Sequence, residues 1–186
     1  AVNLISPSVQ KIFGNAFFLA PQCPTMWMDN GTGTYTKDGT SVYTEILDQL
    51  IKNFLDIHPE IDRKRIYLGG CSNGGFMTLK LLLTSPNRYA AAFPVCEAYP
   101  GTLLSAQDIK TLARISLWFV HSKNDTVVPP DTTVLPTINR LRKAGAQDVH
   151  LTLYEEITDD NDFSYPGHWS WIPALNNQCT LDFDGQ

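Results

Sequence analysis

Hydrophobic positions along this chain switch between two spacings. Short apolar, β-branched or aromatic runs recur at "AFFLAPQC" (16–23), "RIYLGGC" (65–71), "AAAFPVC" (90–96), "ISLWFVHS" (115–122) and "VHLTLYEE" (149–156). The first four are continuous, as in strands buried on both faces. The last alternates, as a strand nearer a sheet edge does. Between them lie longer segments at helical spacing. Residues 41–58 carry Val42, Ile46, Leu50, Phe54 and Ile57, and Pro59 stops the pattern. Residues 74–85 carry Phe76, Leu79, Leu82 and Leu83 and end at Pro86. Residues 108–114 read as a short helix. Residues 133–144 read as a helix that Pro136 starts or kinks and Gly145 closes, and 170–177 as a last one. Strand–helix alternation with apolar strands predicts an α/β fold, a doubly wound and mostly parallel sheet flanked by helices. The polar stretches 28–41 and 157–167 read as surface loops. Neither has calcium-loop spacing.

Composition narrows the function classes. With 186 residues, 43% hydrophobic and 18% charged, the chain suffices for one real core and one domain. A net charge of -5 argues against nucleic acid and anionic membrane as main partners. No apolar run is long enough to span a bilayer. The first residues lack the basic head and apolar middle of a signal peptide. A mature secreted chain lacks one too, so the compartment stays open. Cys23, Cys71, Cys96 and Cys179 form no C-x-x-C pair and no zinc spacing. Cys71 and Cys96 each end an apolar run and read as free, buried thiols acting as small hydrophobes.

One short motif carries chemistry. Gly70-Cys71-Ser72-Asn73-Gly74 is G-x-S-x-G at the junction of an expected strand and an expected helix. A sharp turn there lifts a nucleophile above the sheet edge and needs small neighbours two before and two after it. Gly70 and Gly74 meet that need. Ser72 is therefore the raised residue, and Cys71 points into the core. The backbone N–H of Asn73 would face a developing oxyanion. A serine hydroxyl is a weak nucleophile and needs a base held by an acid. Of the four histidines, His58 ends a helix and His150 begins a strand at the surface. His121 ends a strand and either lines the site or caps the strand. His168, in "YPGHWSW", follows the last strand, where the base belongs. Asp125 in "HSKNDTVVP" follows the penultimate strand and is the preferred acid, with Glu97 after "FPVC" as its rival. Asp131 reads as a helix cap. Trp27, Trp169 and Trp171 are candidate pocket walls that fit the core equally well, Trp171 above all, and Glu97 is a further candidate substrate contact.

At these residues the chain resembles the α/β-hydrolase superfamily. More narrowly, it is similar to esterases and peptidases related to polyhydroxybutyrate depolymerases, feruloyl esterases and prolyl-oligopeptidase-type hydrolases. "FFLAPQCP", "IDRKRIYLGGCSNGGFMT", "YAAAFPVC", "LWFVHSKNDTVVP" and "GHWSW" carry the likeness, which runs over 17–171. The resemblance implies Ser72 as nucleophile, Asp125 as acid, His168 as base and the Asn73 N–H as one oxyanion donor, with no cofactor. It implies a small or polymer-linked ester as substrate, with amide cleavage as the alternative. The loops, rich in Tyr, Asn and Thr, tilt the setting towards an extracellular one. The family also has earlier strands and a His-Gly loop giving a second oxyanion donor, and nothing like them precedes 17. The expectation is a single catalytic domain that is the later part of a longer protein, in which the 16–23 and 65–71 strands cannot pair as usual. A catalytically silent module that binds carbohydrate or a partner is the competing expectation.

Overall fold

The computed structural model describes residues 2–159 and 161–179. A 3-10 turn, Val2–Ile5, leads into α1 (Pro7–Phe13), which Gly14 closes in the left-handed conformation. α2 spans Thr44–Ile57. Then β1 (Tyr67–Cys71), α3 (Asn73–Thr84), β2 (Ala91–Val95), α4 (Ala106–Leu112), β3 (Ser116–Ser122), α5 (Val134–Lys143) and β4 (Val149–Tyr154) alternate, as the spacing predicts. The strands lie in the order β1-β2-β3-β4, all parallel. β5 (Ile157–Thr158) and β6 (Ser164–Tyr165) form a small antiparallel hairpin inside the stretch read as a loop. Asp160 of that stretch lies outside the described residues. α6 (Trp171–Leu175) ends the described fold.

The two sheet faces are covered unequally. On one, Ala92, Leu117, Phe119, Leu151 and Leu153 meet apolar residues of α2, α3, α4 and α5. Phe76, Leu79 and Phe119 are fully shut off from water there, each contributing about 1.5–3 kcal/mol by burial. On the other, Val95, Cys96 and Val120 are buried beneath Trp171 and Ala174 of α6, with Phe93 and Trp118 partly covered. All four cysteines are free thiols. Cys96 is buried and Cys71 packs beside it. Among the described residues no helix is long and apolar enough to cross a membrane.

Three expectations need correction. Residues 16–23 form no strand, and Phe17 is 50% exposed. A strand needs a neighbour for its N–H and C=O groups. This segment is separated from β1 by a cavity of about 680 Å³, lined by Phe13, Leu19, Trp27, Ile51, Tyr67 and Met77 among others. Among the described residues β1 accordingly pairs with β2 alone. Second, α2 is a helix, but it buries Leu47, Ile51 and Leu55, while Ile46 and Ile57 are 67% and 73% exposed. Apolar residues lie on both sides of α2, and packing on α3 decides which stripe is covered. Third, Asp131 lies in an exposed 3-10 turn, and the residue at the start of α5 is Thr133.

Candidate active site

The turn from β1 into α3 is built around close backbone approaches. Ser72 has φ 58° and ψ −118°, a conformation that costs a side-chain-bearing residue about 1–3 kcal/mol. Hydrogen bonds hold it there. Ser72 N–H donates to Val95 O (2.9 Å), and Ser72 O accepts from Phe76 N–H (3.0 Å) and Ala98 N–H (3.2 Å). A Cβ on Gly70 would lie 2.3 Å from Gly74 O. A Cβ on Gly74 itself would meet nothing within 4 Å. The second sterically required glycine is Gly75, where a Cβ would sit 2.7 Å from Glu97 Cα. The motif spacing therefore names one required glycine, Gly70, and misses the other.

Ser72, His168 and Asp125 come together from three separate segments. His168 Nε2 is 3.0 Å from Ser72 Oγ, and His168 Nδ1 is 2.9 Å from Asp125 Oδ2. The Asp125 side chain is 0% exposed. Its Oδ1 accepts from the N–H groups of Val127 and Val128, both at 2.9 Å. Burial pushes the Asp125 carboxyl up, but hydrogen bonds from His121, His168 and the Val128 N–H outweigh it and hold the group well below the usual carboxylate range. A carboxylate only accepts, so His168 Nδ1 carries the proton and Nε2 is left to accept from Ser72 O–H. Gly167 makes the approach of this turn possible: a Cβ there would fall 2.1 Å from Asn124 Oδ1 and 2.5 Å from its backbone. The sequence signal for that glycine is only its place beside His168.

The other candidate residues fall in distinct environments. The Asn73 N–H begins α3, where no intrahelical acceptor exists. The Asn73 side chain accepts from Trp27 N–H at 3.1 Å, so the 25–29 turn is tied to the elbow. Trp27 stands edge-on to Tyr43. Trp169 stacks on Tyr165 (centroids 5.8 Å apart) and neighbours Trp171, whose ring meets His168 edge-on at 5.3 Å. Trp171 thus lies against the His168 ring as well as over the core. Glu97 corrects an expectation: its side chain is wholly buried, facing Tyr99 N–H, and lines no surface open to a substrate. Burial pushes the Cys71 thiol up to about 11. It is packing, in contrast to Ser72 next to it. His121, left open between lining the site and capping its strand, is buried against Asp125.

Cys96, Asp125 and His168 have ligand atoms within 4.8 Å of one another, the spacing of a metal site. The chemistry of this set does not fit a cation. The Asp–His pair is already closed by its own hydrogen bond, and burial pushes the Cys96 thiol up, away from the thiolate a metal needs.

A parallel sheet, a strained serine turn at the end of a strand and a hydrogen-bonded Ser–His–Asp series define the chain as an α/β-hydrolase fold. A family model described as phospholipase/carboxylesterase matches residues 22–162, and the chain belongs to that family. No curated protein sequence matches it. Among solved structures it is similar to a thermostable esterase, with 28% identity and a TM-score of 0.76 over 96% of this chain and 45% of that one. The chain thus spans less than half the length of that esterase. It is also similar to the Pyrococcus horikoshii acylaminoacyl peptidase, with 17% identity and a TM-score of 0.57 over 80% of this chain and 29% of that one. An acylaminoacyl peptidase in complex with Z-Gly-Gly-Phe-chloromethyl ketone matches at 18% identity and TM-score 0.54, over 81% and 29% of the two chains. These two peptidase likenesses speak to the fold alone.

Proposed function

We propose that the chain is a single catalytic domain that hydrolyses carboxylic esters through an acyl-enzyme. The observation that carries this reading is the continuous path Asp125–His168–Ser72, with separations of 2.9 and 3.0 Å. Ser72 Oγ attacks the ester carbonyl carbon while His168 Nε2 takes the hydroxyl proton. Asp125 accepts from Nδ1 and stabilises the imidazolium that forms. The Asn73 N–H donates to the oxyanion. The imidazolium returns its proton to the leaving alcohol, and the acyl group stays on Ser72. A water, deprotonated by the same ring, then releases the acid and restores Ser72. The family description and the esterase likeness favour ester over amide. The ring surface of Tyr165, Trp169 and Trp171 beside His168 favours an acyl or alcohol part that carries a flat or sugar ring, such as feruloyl or acetylated carbohydrate.

A fluorophosphonate probe tests the nucleophile. The native chain is expected to be labelled and Ser72→Ala to be unlabelled, with kcat on short p-nitrophenyl esters lower by roughly 10⁶-fold. Undiminished labelling of Ser72→Ala overturns the assignment. Peptide amides run beside the p-nitrophenyl esters separate esterase from peptidase.

A further inference from the structure

Asp125 is held from a second side by a ring the mechanism above does not use. His121, near the end of β3, has a side chain 0% exposed. Its Nε2 lies 2.9 Å from the Val128 carbonyl oxygen and 3.3 Å from Asp125 Oδ2. Both of those oxygens only accept, so Nε2 carries the proton. Nδ1 is buried with no partner among the described residues, consistent with that tautomer. The contacts close a loop. Asp125 Oδ1 receives the Val127 and Val128 N–H groups, and the carbonyl of Val128 turns back to His121.

We propose that His121 is a positioning residue: its Nε2–H, shared between Val128 O and Asp125 Oδ2, fixes the carboxylate in the orientation that receives His168 Nδ1–H. Val127 and Val128 restrain Oδ1 only. Without His121, the Val128 carbonyl loses its buried donor, and rotation at the carboxylate moves Oδ2 away from His168. The groups facing Asp125 are then His121 from β3, His168 from the turn before α6, and the Cys96 thiol at the end of β2. Of these, His168 hydrogen-bonds Oδ2 through Nδ1 at 2.9 Å, and His121 Nε2 lies 3.3 Å from the same oxygen. The inference rests on the reading of Ser72, His168 and Asp125 as one catalytic series.

Three variants of the full chain test it. His121→Gln keeps an N–H donor at the reach of Nε2, His121→Asn places it too short, and His121→Leu removes it. In Leu and Asn, kcat on a p-nitrophenyl ester is expected to fall on the order of 100-fold, the loss that a 1 Å misplacement brings, while KM stays within about twofold. Gln is expected to recover most of the rate. A readout that needs no turnover accompanies this: the downfield proton signal of His168 Nδ1–H, assigned by its loss in His168→Ala. It is expected to be sharp in the native chain and in Gln, and broadened or shifted in Asn and Leu. A folded Asn variant with native kcat and an unmoved signal overturns the proposal. If Leu does not fold, the polar Gln–Asn pair, one methylene apart, decides alone. Absence of fluorophosphonate labelling at Ser72 in the native chain sinks the catalytic reading instead, and the proton signal still decides the positioning claim.

Discussion

Two carboxyl groups close the ends of neighbouring strands, Glu97 after β2 and Asp125 after β3, and both side chains are shut off from water. They are held in opposite states. Asp125 faces donors on both oxygens: two valine N–H groups on one, His168 and His121 on the other. Glu97 has one, the Tyr99 N–H at 2.7 Å on Oε2, and its Oε1 has no partner among the described residues. Burial therefore pushes the Glu97 carboxyl well up, against the weaker pull of the Tyr99 N–H, while Asp125 is held down. Glu97 is the more deeply buried and has fewer donors, so depth of burial and supply of donors together decide which one is kept as an anion. Only an anion can fix the imidazole tautomer and stabilise the imidazolium, and that is the physical ground for preferring Asp125 as the acid.

The largest expected effect breaks this pair apart directly. Asp125→Asn keeps the volume but removes the charge and offers His168 a donor where it needs an acceptor. Its kcat on p-nitrophenyl esters is expected to fall by about 10⁴-fold, while Glu97→Gln stays within about threefold of native. If the losses came out the other way round, Glu97 would be the working acid and the preference for Asp125 would collapse.

What could be read in advance follows the same division between local and assembled features. β1 to β4 and the helices between them were legible because each apolar run is long, and proline or glycine ends several of them. The sharp turn at Ser72 was legible because its motif sits at a strand–helix junction. Which carboxyl is charged was not, because the deciding donors come from residues 121, 127, 128 and 168, scattered along the chain. The run "AFFLAPQC" has strand composition but no strand partner among the described residues, and β-structure is a property of the pair. In α2, Leu47, Ile51 and Leu55 compete with Ile46, Leu50 and Ile57 for the same role, and only the packed neighbour chooses.

A second, smaller perturbation presses on the Glu97 side alone. Gly75 packs against the Glu97 backbone with no room for a methyl group, while Gly74 beside it has open space. Gly75→Ala is expected to cost about 1–3 kcal/mol of stability by overpacking. Gly74→Ala is expected to be neutral or to gain up to about 1 kcal/mol from helix propensity. Urea unfolding of the two variants measures this. Equal stabilities would mean that β2 and the elbow give way easily, and that the tight burial of Glu97 is not enforced by packing.

The smallest effect is a pH slope, and it tests the raised state of Glu97 itself. A carboxyl whose folded pKa lies above its unfolded value, near 4.5, contributes its full share of stability below that unfolded value. The share is lost as pH rises towards the folded value, because the unfolded chain releases the proton first. In that window each pH unit costs the native protein at most about 1.4 kcal/mol. Gln at position 97 resembles the protonated acid and does not ionise, so Glu97→Gln lacks this loss. At pH 4 the native chain is expected to match or exceed the variant in thermal unfolding. Above pH 5 the difference is expected to move in favour of Gln, until Glu97 ionises in the folded protein as well. Asp125 contributes the opposite slope: its depressed pKa gives stability above the ordinary carboxylate range that is lost on acidification. That slope is present in both proteins and cancels in their difference. A difference that stays flat from pH 5 to 8 would mean that Glu97 ionises like an exposed glutamate. Some donor would then reach its Oε1, and the contrast between the two strand ends would not be one of charge.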